Sequence, residues 1–136
     1  MRRIPIVLTI AVALSSCADQ SCELCGRWRS NAELTLPEME KSPLLSEKQR
    51  QFFRDDFYGQ LVVETRKKDS RAYFPDQSPE SVAWEPWQLV SRSGNALTVR
   101  YSMGGDPVVR EIKLDGDCYQ VLQPNLGFGE WFCREP

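Results

Sequence analysis

The chain contains no histidine among its 136 residues. That absence excludes Ser-His-Asp and Cys-His catalysis, the H-E-x-x-H metalloproteases and every metal site that needs an imidazole. Basic residues do not dominate: 17 Lys and Arg stand against 19 Asp and Glu, for a formal net charge of −2. This argues against a nucleic-acid partner, whose footprint is a basic face. No S-x-x-K motif occurs, and no helix signal follows Gly127-Phe128-Gly129 to make it a phosphate loop. Asp115-Gly116-Asp117 lacks the ligand run of a D-x-[DN]-x-[DN]-G calcium loop. No cofactor, metal or catalytic residue is therefore assigned. Long apolar runs are also missing. The longest, Ile4 to Leu14, falls short of the roughly 20 residues that span a membrane. The length allows one domain and disfavours two.

What is present begins with an export signal. Met1-Arg2-Arg3 precedes the apolar run, the order of n-region and h-region in a secretory signal peptide. Leu14-Ser15-Ser16-Cys17 follows. It resembles the lipobox of bacterial lipoproteins: a Leu, two small residues and an invariant Cys. The resemblance implies cleavage between Ser16 and Cys17, acylation of Cys17 and a membrane partner held through N-terminal acyl chains. Each buried CH₂ contributes about 0.8 kcal/mol, so two or three chains make a firm anchor. Ala18 instead of Asp after the Cys implies passage to the outer membrane, facing the periplasm. The organisation expected is a signal peptide over 1–16, a lipidated tether over 17–25 and a single β-barrel domain over 26–136. Losing Arg2 and Arg3 makes the remaining chain two charges more negative.

Four further cysteines, Cys22, Cys25, Cys118 and Cys133, read as two disulfides in an exported domain. Four cysteines allow three connectivities. The segments 119–123 and 128–133 read as a hairpin turning near Pro124-Asn125, which sets Cys118 near Cys133. A barrel closing its first strand on its last would bring Cys25 to the same end. The connectivity favoured links the Cys22/Cys25 pair to the Cys118/Cys133 pair, because long loops remove more denatured-state entropy. The alternative is Cys22–Cys25 with Cys118–Cys133. Cys22-Glu23-Leu24-Cys25 is also a C-x-x-C, but redox motifs of that kind open a helix, and here Gly26 and a strand-like segment follow.

The rest of the chain is patterned mainly for strands. A first strand is expected from Arg27 to Leu36. One helical region is expected within Pro37 to Phe57, with Ser42 as N-cap and Pro43 in the first helical position, acting as a lid or plug. From Tyr58 onward the period is two. Strand-like segments cover 59–66, 71–74, 82–84 with 87–90, 97–102 and 111–114, followed by the cysteine-bearing hairpin. Pro86 predicts a bulge or an edge, and Asp115-Gly116 is a strong hairpin signal. Glu64, Glu111 and Glu130 alternate with apolar positions as outward residues would. The fold expected is mainly β: about eight antiparallel strands in an up-and-down barrel, with one helix after the first strand.

Trp28-Arg29-Ser30-Asn31-Ala32-Glu33-Leu34-Thr35 resembles the W-x-S-x-x-E-L-T opening of a group of small bacterial exported proteins. Tyr58-Gly59-Gln60-Leu61-Val62-Val63, Arg110-Glu111-Ile112 and Glu130-Trp131-Phe132-Cys133-Arg134 are similar to later elements of that group. The resemblance implies a lipocalin-like barrel and brings no activity with it. Gly26-Arg27-Trp28 is also similar to the G-x-W of lipocalins, whose Trp closes the barrel base. Trp28, Tyr73, Trp84 and Trp87 are candidate ligand-lining or core aromatics. The function expected is a non-catalytic binding or scaffolding module, taking an apolar small molecule or an envelope protein. An inhibitor of lysozymes or proteases is an alternative, although Ser93-Gly94-Asn95-Ala96-Leu97 carries Leu where the S-G-x-x-Y of lysozyme inhibitors carries Tyr. A thiol-disulfide enzyme is the remaining alternative.

Overall fold

The computed structural model describes residues 22–136. Eight antiparallel strands follow one another round a closed barrel: β1 (Gly26–Ser30), β2 (Val62–Thr65), β3 (Asp69–Tyr73), β4 (Glu85–Ser93), β5 (Ala96–Met103), β6 (Asp106–Asp115), β7 (Cys118–Gln123) and β8 (Phe128–Arg134). Closure comes from β1 pairing with β8, with Trp28 opposite Arg134, Arg29 opposite Cys133 and Ser30 opposite Phe132. The up-and-down barrel expected from the sequence is therefore the architecture observed. Signal cleavage at Ser16 and acylation of Cys17 lie outside the described residues.

Period-two alternation sets the faces. Leu97 and Val99 on β5 oppose Ile112 and Arg110 on β6 through the register, and Leu97, Val99 and Ile112 are buried in one cluster with Trp28, Tyr119 and Phe132. The β3–β4 seam is the weak one, with only Asp69 opposite Pro86 and Ser70 opposite Glu85. Pro86 sits in that short seam. The irregularity of β4 lies further on, where the register shifts between Leu89 and Ser91. The bulge thus falls at Val90 and not at the proline, whose missing N–H costs little where pairing is about to end.

One end of the barrel is sealed. The Trp28 indole N–H donates to the Leu24 carbonyl at 2.9 Å. Arg134 lies over the Trp28 ring, 4.2 Å from its centroid, and donates to the carbonyls of Cys25 and Glu23. Gly26 permits this crossing. Its φ is +128°, and a Cβ there would come within 2.6 Å of the Arg134 guanidinium.

Two helices, not one, follow the first strand. β1 stops at Ser30, and α1 (Ala32–Lys41) starts at once because the Asn31 side chain accepts from the Leu34 N–H. Leu34-Thr35-Leu36 mimicked a strand, but three residues do not fix a period. Thr35 and Met39, four apart, form the buried face of α1. Ser42 caps the C-terminus of α1 and not the start of a helix. The N-cap of α2 (Glu47–Arg54) is Ser46, in a capping box with Gln49. Arg54 of α2 pairs with Glu40 of α1. The pair packs against the β7–β8 end through Met39, Leu45, Phe53, Tyr58 and Phe128.

The favoured disulfide connectivity is overturned. Cys22 bonds Cys25, and Cys118 bonds Cys133. A reverse turn, with the Cys25 N–H on the Cys22 carbonyl, closes the first pair. The β7–β8 register sets Cys118 directly opposite Cys133, with Cα atoms 4.0 Å apart. Cys133 faces Arg29, four residues or about 13 Å along β1 from Cys25, so the four thiols do not gather in one place. Loop entropy describes the unfolded chain; strand register decides which thiols meet.

Two outcomes are expected. Peptide mapping under non-reducing conditions should return Cys22–Cys25 and Cys118–Cys133 with no cross-linked species. Trp28→Ala should cost about 3–5 kcal/mol in denaturant unfolding, since the ring is 1 % exposed.

Candidate functional site

The barrel is not filled. A cavity of about 440 Å³ runs inside it. Leu24 contributes at the sealed end, and Met103, Gly104 and Gln123 line it at the opposite end. Val82, Ala83 and Glu85 line it beside the short β3–β4 seam. The walls are mostly apolar, with Val99, Ile112, Val121 and Phe132 among them. No residue of α1 or α2 lines it, so the helices flank the β7–β8 end and do not plug the barrel.

The four candidate aromatics separate. Trp87 lines the cavity, opposite Tyr101 across the β4–β5 register, with its indole N–H donating to the Arg66 carbonyl. Trp28 belongs to the sealed end. Tyr73 and Trp84 join a polar cluster on the β2–β3 hairpin. The Tyr73 hydroxyl donates to Glu64, and Arg71 donates to the same carboxylate through two nitrogens at 2.8 and 3.0 Å. Arg66 and Arg71 both lie over the Trp84 ring, 3.6 and 4.4 Å from its centroid. Burial works to raise the Glu64 carboxyl, but the Tyr73 hydroxyl and the Arg71 guanidinium outweigh it and hold it below its ordinary value. Arg71 also donates to the Pro79 carbonyl, so the cluster ties the loop before β4 to the hairpin. Arg66 is paired with Asp69. These contacts account for the cluster structurally.

The residue that sequence reasoning misplaced is Glu130. It does not face outward with Glu111. The β7–β8 register sets it opposite Val121, and both line the cavity. Glu130 is 9 % exposed. The Ser30 hydroxyl donates to its Oε2 at 2.6 Å and itself accepts from the Gly59 N–H. Burial pushes the Glu130 carboxyl above its ordinary value, and the Ser30 hydroxyl pulls part of the way back. Its negative charge adds to the burial that raises the phenols of Tyr58 and Tyr119. The signal that could have found it was small: Phe128, Glu130 and Phe132 share one strand parity, so the two phenylalanines can face the core only if Glu130 does too.

Elsewhere the chemistry is sparse. The Cys22–Cys25 turn leads straight into β1, with no helix N-terminus beside it. Among the described residues, no group of three or more Cys, Asp or Glu is placed to hold a metal ion. The chain matches no protein-family model, no curated protein and no solved structure.

The raised Glu130 carboxyl has a stability consequence. A carboxyl whose folded pKa exceeds its unfolded value supports the fold fully below the ordinary value of about 4.3. That support is lost as pH rises through the folded value. Glu130→Gln keeps an acceptor for Ser30 and cannot ionise. Its melting temperature relative to the unmodified protein should therefore climb from pH 4 to pH 7; a flat difference would contradict the assignment.

Proposed function

We propose that the protein is a cell-envelope lipoprotein, anchored through Cys17, whose barrel binds one small apolar molecule. The observation that carries the binding half is the cavity of about 440 Å³ with mostly apolar walls. That volume lies within the range of about 300–1,000 Å³ usual for small-molecule pockets. An eight-stranded barrel is just wide enough to fill with side chains or to hold one such ligand. A purely scaffolding barrel has no need of an unfilled interior. The anchoring half rests on Arg2, Arg3, the apolar run and Leu14-Ser15-Ser16-Cys17. An inhibitory role like that of the lysozyme inhibitors is less well supported, because Leu97 stands where that group's tyrosine would be and is buried in the barrel core.

Two measurements test this reading. The neutral fluorophore N-phenyl-1-naphthylamine should bind the purified protein saturably at one site. Ala72→Trp, on the cavity wall, should weaken that binding at least about tenfold, or about 1.4 kcal/mol, with the melting temperature little changed. Absence of saturable binding would overturn the carrier reading. Separately, Cys17→Ser should abolish palmitate labelling and release the protein from the membrane fraction.

A further inference from the structure

The charges on the cavity wall are unbalanced. Among the described residues, three charged ones line the cavity: Arg71, Glu85 and Glu130. Arg71 is engaged by Glu64, which accepts two of its hydrogen bonds, and by the Pro79 carbonyl. Glu85 lies by the short β3–β4 seam and is exposed. Glu130 is buried, and its only hydrogen bond with another described residue is the one from Ser30 to Oε2. Oε1 has no such partner. No fully buried side-chain oxygen or nitrogen among the described residues lacks a partner, so Oε1 is not sealed in and is reached from the cavity that Glu130 lines.

A carboxylate oxygen left open in an apolar cavity is a costly arrangement. A ligand can offset that cost in two ways, by donating a hydrogen bond or by bringing a positive charge. The surroundings favour the charge. Trp87, Tyr101, Tyr119 and Phe132 share the cavity wall with Glu130, and aromatic faces attract a desolvated cation. Among the described residues, the one cation lining the cavity, Arg71, is already engaged by Glu64, and Arg110, which shares the inward parity of Ile112 on β6, lines the neighbouring hollow with Gln123 and Pro124 instead.

Resting on the carrier reading above, we infer that the barrel binds apolar amines. The alkyl or aryl part lies along Val99, Ile112 and Val121, and the ammonium group donates to Glu130 Oε1. Ser30 holds the carboxylate in place from the other oxygen and acts as a positioning residue. Fatty acids, the anionic counterparts of the same size, are disfavoured because their carboxylate would meet that of Glu130.

Displacement of N-phenyl-1-naphthylamine by three decyl compounds tests the inference. At pH 7, decylammonium should displace the probe at a concentration about tenfold or more below decanoate, with decanol between them. Glu130→Gln should bring the three to within about threefold of one another, and a cooperative melting transition of the variant shows that it is folded. Equal displacement by decanoate and decylammonium, or discrimination that survives Glu130→Gln, would overturn the amine assignment and leave the carrier reading standing. If neither the probe nor any decyl compound binds, both fall together.

Discussion

Everything in this molecule depends on β1 holding two neighbours at once. The strand has five residues, and it must pair with β2 on one side and β8 on the other for the barrel to close. Backbone pairing over so short a span is weak, so side chains finish the closure. Trp28 fills the sealed end and is gripped by Arg134 from β8. Ser30 reaches from β1 to Glu130 on β8 and to the Gly59 N–H ahead of β2. Just beyond, the Thr35 hydroxyl on α1 accepts from the Trp131 N–H. The W-x-S-x-x-E-L-T stretch is thus a closure device: its Trp, Ser and Thr each contact or face a residue of the last strand or its flank.

This arrangement explains why Glu64 and Glu130 behave oppositely. Glu64 looks outward and is satisfied by a guanidinium and a phenol, so its ionised form is favoured. Glu130 looks inward and has one hydroxyl, so its ionised form is penalised. Both sit on strands among apolar neighbours, and the fold distinguishes them through strand parity alone. The outer cluster locks a loop; the inner carboxyl is buried with a single hydroxyl donor.

Much of the fold was legible in the chain. The alternation of Leu97, Val99 and Tyr101 and the Asp115-Gly116 turn define β5 to β7 without ambiguity, and the cysteine-bearing hairpin fixes its own register. α1 was not legible, because its signal is a cap: Asn31 turns the chain into a helix before any apolar period is established, and Pro37 inside α1 reads as a boundary. The disulfide pairing departs from the entropic expectation because Cys118 faces Cys133 directly, while Cys133 faces Arg29, four residues on from Cys25. The cavity could not be read at all. Whether inward side chains fill a barrel depends on the summed shapes of all eight strands, and no local pattern reports that sum. Glu130 was visible as a residue, yet its meaning required knowing which face Phe128 and Phe132 share.

The sealed end has a directional consequence. Arg134, Trp28 and the Cys22–Cys25 turn close the end of the barrel from which the chain leads back toward residue 17, and Cys17 lies only five residues ahead of Cys22, a reach of at most about 18 Å. Met103, Gly104 and Gln123 line the cavity at the far end. On the proposed anchoring, the barrel stands on its closed base with the Met103, Gly104 and Gln123 end turned away from the bilayer. On the proposed carrier reading, the ligand is exchanged with the aqueous compartment, and the membrane serves as a mooring and not as the source.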